Sequence, residues 1–216
     1  MSDARAAMLD RIRRASGRAD HDDTEVRVRL ARRPTGPKPA LHDAPLDAFV
    51  ARVEAAAATI ARCDGEGIGV AVADYLQRSQ LAPELVSAPH PALADVAWPA
   101  GLTAHRRALA PSDATAMTVA AIGIAETGSL LLTSGPQTPT GMNFLPDTLI
   151  CLLDAARIVP HLEDAWAWLR DAHATPPRAV NLVTGPSRTA DVEQTIQLGA
   201  HGPRRLHVVL VSRLAS

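Results

Sequence analysis

The sequence predicts an α/β protein built on a mostly parallel β-sheet with helices on both faces. From Gly65 onward, apolar runs typical of strands alternate with segments of helical period, and the last third reads strand, helix, strand, helix, strand. Crossovers of this kind join parallel strands. The chain has 216 residues, enough for one well-filled core. Hydrophobic residues make up 47% and aromatic residues only 3%, which predicts a core of Ala, Val, Leu and Ile.

The amino-terminal part is expected to differ from the rest of the chain. We place an N-terminal helix and an extended linker at residues 1–45 and a single domain at residues 46–216. Ser2–Ala15 has apolar residues at helical spacing and predicts a short amphipathic helix. Residues 18–45 are rich in charge and in proline, which predicts an extended segment.

The next part of the chain is predicted to begin with a helix at residues 47–62. The apolar stripe of this helix consists of Phe49, Val53, Ala57 and Ile60. Residues 68–73 are apolar and β-branched and predict a strand, followed by a helical turn at 75–79 and a short strand at 85–86. Residues 89–111 contain four prolines and show no sustained period.

Two apolar runs at 116–124 and 129–133 are separated by a short turn that contains glycine, which favours a hairpin or a sharply bent strand pair. The remaining predicted strands are 148–153, 179–183 and 206–211, and the predicted helices between them are 161–172 and 189–198. This βαβαβ succession predicts parallel strands buried under helices.

The heptapeptide GPSRTAD, which begins at Gly185, is the main candidate site. It follows a predicted strand, so we expect it at the carboxyl end of the sheet, where α/β proteins bind ligands. Ser187 or Thr189 would cap the following helix, and Arg188 would hold a carboxylate or phosphate. The alternative is an ordinary helix cap, with Asp191 near the positive end of the dipole and Arg188 solvated.

Two further residues could carry chemistry. Glu126 lies with Thr127 and Gly128 between two apolar runs, which is a poor position for a solvated acid. It could be a base or nucleophile, or it could accept backbone N–H groups and fix the turn, and the residues leave both alternatives open. His201 precedes Gly202 and could act as an acid or base, donate to an oxyanion, or serve as a local hydrogen-bond partner.

Several classes of function are not indicated. The net charge of -1 gives no reason to expect nucleic acid or an anionic membrane as a partner. No apolar run approaches the roughly twenty residues of a membrane span, and the amino terminus lacks the apolar core of a secretory signal, so we expect a cytoplasmic protein. Cys63 and Cys151 are too few for a zinc or iron–sulfur site. Three glycines at 65, 67 and 69 precede a predicted strand, which is the wrong context for a dinucleotide-binding loop.

Four segments, in order, resemble the lactate utilisation protein C family of LUD-domain proteins. They are GIAETGSLLL from Gly123, FLPDTLICLL from Phe144, GPSRTADVEQ from Gly185 and GAHGP from Gly199. The resemblance implies a three-layer α/β/α fold, shared with ribose-phosphate isomerases, glucosamine-phosphate deaminases and coenzyme A transferases (the NagB/RpiA/CoA-transferase-like fold).

The resemblance also implies a component of the bacterial system that oxidises L-lactate to pyruvate. Iron–sulfur clusters would then reside in partner proteins, and this chain would bind no cofactor alone. It would contribute a site for a small carboxylate or phosphate. The expected ligand-binding residues are Thr127, Gly128, Gly185, Ser187, Arg188, Thr189, Asp191 and Gly202, and the candidate catalytic residues are Glu126 and His201. The alternatives are a free-standing isomerase or transferase acting on a sugar phosphate or acyl-CoA, with Glu126 as base or nucleophile, and a pure interaction module.

Overall fold

A computed structural model describes residues 2–16, 23–32, 35–189, 197–199 and 201–212. The chain forms two compact units, Met1–Pro37 and Lys38–Ser216. The first unit contains α1 (Ser2–Ala15), as predicted, and α2 (Thr24–Arg32). The second helix is a correction, because residues 18–45 were expected to be extended. An acidic residue in its first turn and arginines in its last turn favour the helix through its dipole.

The second unit alternates helices and strands. In chain order its elements are α3 (Pro45–Ala55), β1 (Thr59–Cys63), α4 (Ile68–Arg78), β2 (Glu84–Ser87), β3 (Thr103–His105), β4 (Thr115–Val119), β5 (Ile122–Ile124), β6 (Ser129–Thr133), α5 (Gly141–Phe144), β7 (Thr148–Asp154), β8 (Ile158–Val159), α6 (Leu162–Ala172), β9 (Val180–Val183), β10 (Arg188–Thr189), β11 (Gln197–Leu198) and β12 (Arg205–Val211). Short 3₁₀ turns occur at Pro91–Leu93 and Ala155–Arg157.

The main sheet has six strands in the order β1-β12-β7-β4-β2-β3, and every pair in it is parallel. Side chains alternate between its two faces along β12. Val209 and Val211 belong to the core cluster that includes α4, whereas Val208 and Leu210 belong to the cluster that includes Phe49 of α3. The predicted α/β class, with a mostly parallel sheet between helices, is confirmed.

A second sheet has four strands in the order β8-β5-β6-β9. Strands β5 and β6 form the predicted hairpin. Strand β9 pairs antiparallel with β6, so the prediction that residues 179–183 join the parallel sheet was wrong. The reason lies in α6, whose Ala165 and Leu169 pack against Ile122, Ile124 and Leu131 of the second sheet. The chain leaving α6 therefore returns to that sheet.

Two predictions before residue 80 were also wrong. The helix predicted at 47–62 ends at Ala55, because Ala57 adopts a left-handed conformation with φ 60°, and Ile60 lies in β1. Residues 68–73 belong to α4 rather than to a strand. The three glycines therefore follow a strand and open a helix. A Cβ on Gly69 would lie 2.1 Å from the Ala97 carbonyl oxygen, so the glycine allows close packing there.

The helix predicted at 189–198 is contradicted at both of its ends. Arg188 pairs with Leu198 and Thr189 with Gln197 in the antiparallel ladder of β10 and β11. Residues 190–196, which include Asp191, lie outside the described part of the chain. Ser187 therefore precedes β10 and Thr189 lies in it, so neither caps a helix at the described positions.

Candidate functional site

A pocket of about 450 Å³ brings together residues from the two carboxy-terminal motifs. Five residues expected at the site line it: Gly185, Ser187, Arg188, His201 and Gly202. Phe144 and Leu182 supply an apolar part of the wall. Thus the segments GPSR and HGP, separated by more than ten residues in sequence, form one surface.

Backbone hydrogen bonds hold the two motifs together. The Ser187 amide donates to the Pro203 carbonyl oxygen at 2.8 Å, and the Gly199 amide donates to the Ser187 carbonyl oxygen at 3.0 Å. A Cβ added to Gly202 would lie 3.5 Å from the Ser187 Cβ atom. Ser187 is therefore fixed by its backbone beside Gly202, on the wall of the pocket.

The two glycine-containing turns both rest on the carboxyl end of α3. Gly185 has φ +70°, and a Cβ there would lie 2.3 Å from the Ala56 carbonyl oxygen. Gly128 has φ +67°, and a Cβ there would lie 2.7 Å from the Arg52 carbonyl carbon. Both positions need glycine for its backbone conformation and for the close approach.

The pocket lies beside the amino ends of the parallel strands. Phe144 shortly precedes β7, Pro203 shortly precedes β12, and Ala56 shortly precedes β1. The expectation that the GPSRTAD loop lies at the carboxyl ends was therefore wrong. It rested on counting residues 179–183 as a parallel strand, whereas β9 runs in the second sheet.

The described residues of the pocket contribute side-chain donors. Arg188 and His201 are exposed, and Ser187 is half-buried. Residues 188 and 189 form β10, so the helix predicted to begin at residue 189 does not begin there. An arginine, a hydroxyl and an imidazole beside an apolar wall suit a carboxylate or phosphate attached to a carbon skeleton.

Glu126 lies elsewhere, at the start of α6. Its Oε1 accepts the Leu162 backbone N–H at 2.8 Å, and its Oε2 lies 3.0 Å from His161 Nδ1. The exposed fractions of the two side chains are 15% for His161 and 14% for Glu126. Glu126 does not line the pocket described above. This geometry corresponds to the structural alternative, in which the acid accepts backbone N–H groups. A catalytic role for Glu126 stays a prediction.

A row of hydroxyl groups connects the AETG turn to the pocket loop. Thr127 Oγ1 is hydrogen-bonded to Ser129 Oγ at 2.7 Å, and Ser129 Oγ to Thr184 Oγ1 at 2.6 Å. Thr184 lines the pocket. The sequence analysis missed Ser129 and Thr184, because their contact depends on the antiparallel pairing of β6 with β9. Thr127 is therefore linked to the pocket loop through Ser129 and Thr184. Neither Thr127 nor Gly128 is among the described residues that line the pocket.

The described residues contain no group of three or more His, Cys, Asp or Glu side chains placed to hold a metal ion. Asp64 Oδ1 accepts the Gly67 backbone N–H at 2.8 Å, which occupies one donor at the start of α4.

Within the described ranges, no helix is long and apolar enough to cross a membrane.

Comparisons with known proteins agree with the fold. The LUD domain model matches residues 46–211. An uncharacterised protein of Neisseria meningitidis is 36% identical over 89 residues, covering 41% of this chain and 38% of that protein. Lactate utilization protein C of Anoxybacillus flavithermus is 34% identical over 98 residues, covering 45% and 44%. The Bacillus subtilis protein of that name is 34% identical over 99 residues, covering 44% and 41%.

The matched region thus spans about two fifths of the length of these curated relatives. A crystal structure of a DUF162 family protein from Deinococcus radiodurans aligns with a TM-score of 0.57 and 20% identity, over 81% of this chain and 100% of that one. At that identity the likeness concerns the fold alone. Because the family model covers most of the second unit, the chain belongs to the LUD domain family.

Proposed function

We propose that this chain is a component of a bacterial L-lactate utilisation system. In this role it works with iron–sulfur partner proteins and contributes a small-anion site rather than a redox centre. Membership of the LUD domain family and the similarity to proteins named Lactate utilization protein C support the pathway. The pathway, the partners and the ligand are proposals for this chain.

The observation that carries the anion site is the convergence of Ser187, Arg188 and His201 on one pocket. A guanidinium group binds a carboxylate through two parallel hydrogen bonds, and a hydroxyl or a protonated imidazole adds a further donor. L-lactate and pyruvate each carry one carboxylate beside a second polar oxygen. The pocket offers separate donors for both groups.

The positions of the two cysteines support placing the redox centre in the partners. Cys63 on β1 packs against the core cluster of α4, whereas Cys151 on β7 belongs to the cluster of α3, on the other face of the sheet. Strand β12 lies between β1 and β7, and the register aligns Cys63 with Asp154, three residues beyond Cys151, so the two cysteines lie more than about 10 Å apart. Burial raises the pKa of the Cys151 thiol, so it stays protonated. The pair does not form a dithiol centre.

Calorimetric titration of the full chain with L-lactate and with pyruvate tests the site. We expect Arg188→Ala to weaken binding about tenfold or more, as for a lost charge-assisted hydrogen bond. Arg170→Ala is the matched control, because Arg170 is an exposed arginine on α6. Equal affinities of the two variants would refute a carboxylate site at Arg188.

Co-expression with candidate iron–sulfur proteins tests the rest of the proposal. The chain should co-purify with cluster-bearing partners, and the complex should oxidise L-lactate. If neither the chain alone nor the complex binds lactate or pyruvate, the small-anion role is wrong. Incubation with acyl-CoA donors addresses the alternative, since a trapped glutamyl adduct at Glu126 would favour a transferase.

A further inference from the structure

Strand β9 forms an outer edge of the second sheet. It pairs with β6 on one side, and none of the described residues pairs with its other side. Leu182 in this strand is 42% exposed, although it is a large apolar residue. An edge strand presents unpaired N–H and C=O groups to which another extended chain can add.

A pocket lies at each end of this strand. The pocket at its carboxyl end is the one that contains Ser187 and Arg188. A second pocket of about 540 Å³ lies at its amino end, where Arg178 and Ala179 face Ser134 and Thr140. Both arginines are exposed, and none of the aspartates or glutamates that the structure describes lines either pocket. The strand is therefore flanked by two cations, and the described residues of the two pockets contribute no carboxylate.

We propose that β9 accepts an extended acidic segment of a partner protein as an added strand, with one carboxylate bound at Arg178 and another at Arg188. This goes beyond the proposed function, because the pocket proposed for a free carboxylate would then also take a carboxylate side chain of the partner. Only the identity of the partner rests on the proposed lactate role. The strand addition rests on the edge and its two flanking pockets.

The dimensions of β9 set the length of the guest segment. Four strand residues span about 13 Å, so acids four positions apart in an extended peptide reach both ends. Residues i, i+2 and i+4 point to one face, which places an apolar residue between the two acids. Exposed Leu182 supplies a contact for that central residue. Pro177 and Pro186 flank the strand and limit pairing to a short segment, since proline cannot donate to a ladder.

The test uses a fluorescent peptide with the sequence Thr-Glu-Val-Leu-Val-Glu-Thr and the full chain, with fluorescence anisotropy as the readout. A peptide with glutamine in place of both glutamates tests the charges. Two further peptides carry N-methyl groups on alternate backbone amides, one peptide at its odd-numbered residues and the other at its even-numbered residues. In an added strand, only the odd-numbered or only the even-numbered amides face β9. We expect that one methylated peptide binds at least about tenfold more weakly and the other keeps its affinity.

Arg178→Ala and Arg188→Ala should each lower the affinity for the peptide that carries both glutamates (the Glu peptide) about two- to fivefold. Both effects should be smaller at high salt. Arg170→Ala should leave its affinity unchanged. The inference fails if the two methylated peptides bind equally, if the glutamine peptide binds as well as the glutamate peptide, or if the Glu peptide does not bind.

The same variants separate this inference from the proposed function. If free lactate binding depends on Arg188 while no peptide binds, the small-anion site stands and the strand addition is wrong. If the peptide binds edgewise while lactate and iron–sulfur proteins do not, the strand addition stands and the lactate role is wrong.

Discussion

Gly128 and Gly185 hold the two turns against the end of α3, and each has a left-handed backbone. We expect Gly185→Ala and Gly128→Ala each to lower the free energy of unfolding by about 2–4 kcal/mol, since an added Cβ meets backbone atoms that cannot move away cheaply. Urea unfolding measures the change.

The matched control for these variants is Gly101→Ala. Gly101 has φ +90°, but a Cβ there meets nothing within 4 Å. Its substitution should therefore cost only the backbone strain, about 1 kcal/mol. If all three alanine variants lost the same stability, close contact with α3 would not be the reason for glycine at 128 and 185.

His207 in β12 is a buried histidine whose titration should affect stability. Its Nδ1 lies 2.8 Å from Thr59 Oγ1, its ring stacks on Tyr75 with centroids 3.9 Å apart, and its Nε2 has no hydrogen-bond partner among the residues that the structure describes. Burial, with a smaller contribution from Arg78, lowers the pKa of His207 to about 4. The unfolded chain, with an ordinary histidine pKa near 6.5, binds the proton more readily.

Stability should therefore fall as the pH decreases from about 6.5 through 4, by a total of about 3 kcal/mol from this residue. Urea unfolding at several values between pH 7 and pH 4 measures this loss. His207→Phe keeps a ring against Tyr75 and removes the titrating group, so its stability should change less over that range. An equally steep loss in the variant would assign the acid sensitivity to other groups.

At the scale of secondary-structure elements, Glu126 connects the β5–β6 turn to the first turn of α6. Glu126→Gln keeps an acceptor for the Leu162 N–H but loses the negative charge beside His161 and the helix amino end. We expect a loss of about 1 kcal/mol in the free energy of unfolding and no change in lactate or pyruvate affinity.

Glu54→Gln serves as the control for that prediction, because Glu54 is an exposed acid on α3. It should change stability little. A Glu126→Gln protein that unfolds like the wild type but loses activity in the assembled complex would instead support the chemical role of Glu126.

The sequence predicted elements well where the apolar pattern is unambiguous. Strand β7 and helix α6 were predicted to within one residue at each end, because β7 is a continuous apolar run and the apolar residues of α6 recur every three or four positions. Helix α4 was missed although Ile68, Val72 and Leu76 recur every four residues, since glycines and β-branched residues at its start resemble a strand. No glycine or proline marks the end of α3 in the sequence. The left-handed conformation beyond the end of this helix is adopted by an alanine, Ala57, and the sequence does not reveal it.

The structure gathers several candidate residues of the sequence around one pocket, but not at the sheet edge where the sequence placed them. Gly185, Ser187, Arg188 and His201 line that pocket, and their role in binding stays a prediction. The sheet edge was wrong because local pattern does not reveal whether a strand such as β9 joins the parallel or the antiparallel sheet. The hydrogen bond between the hydroxyl groups of Ser129 and Thr184 could not be predicted for the same reason.

Over the whole molecule, the two compact units meet in sequence at Pro37, ahead of the boundary at residue 45 that the sequence suggested. Residues just after Pro37 belong to the second unit and contact the rest of it. Lys38 forms an ion pair with Asp164 of α6, and Leu41 packs against the core cluster that contains Phe49. We therefore expect a chain of residues 38–216 to fold cooperatively without the first unit.

The second part of this prediction concerns a shorter chain, residues 46–216. It lacks the apolar contact of Leu41 and the Lys38–Asp164 pair, and the apolar contact should matter more because the ion pair is partly exposed. We expect it to be about 2 kcal/mol less stable than 38–216 in urea unfolding. Lys38→Ala in the 38–216 chain should account for less than half of that difference. Equal stability of the two truncated chains would show that the folded domain begins at residue 46 and that residues 38–45 only lie on its surface.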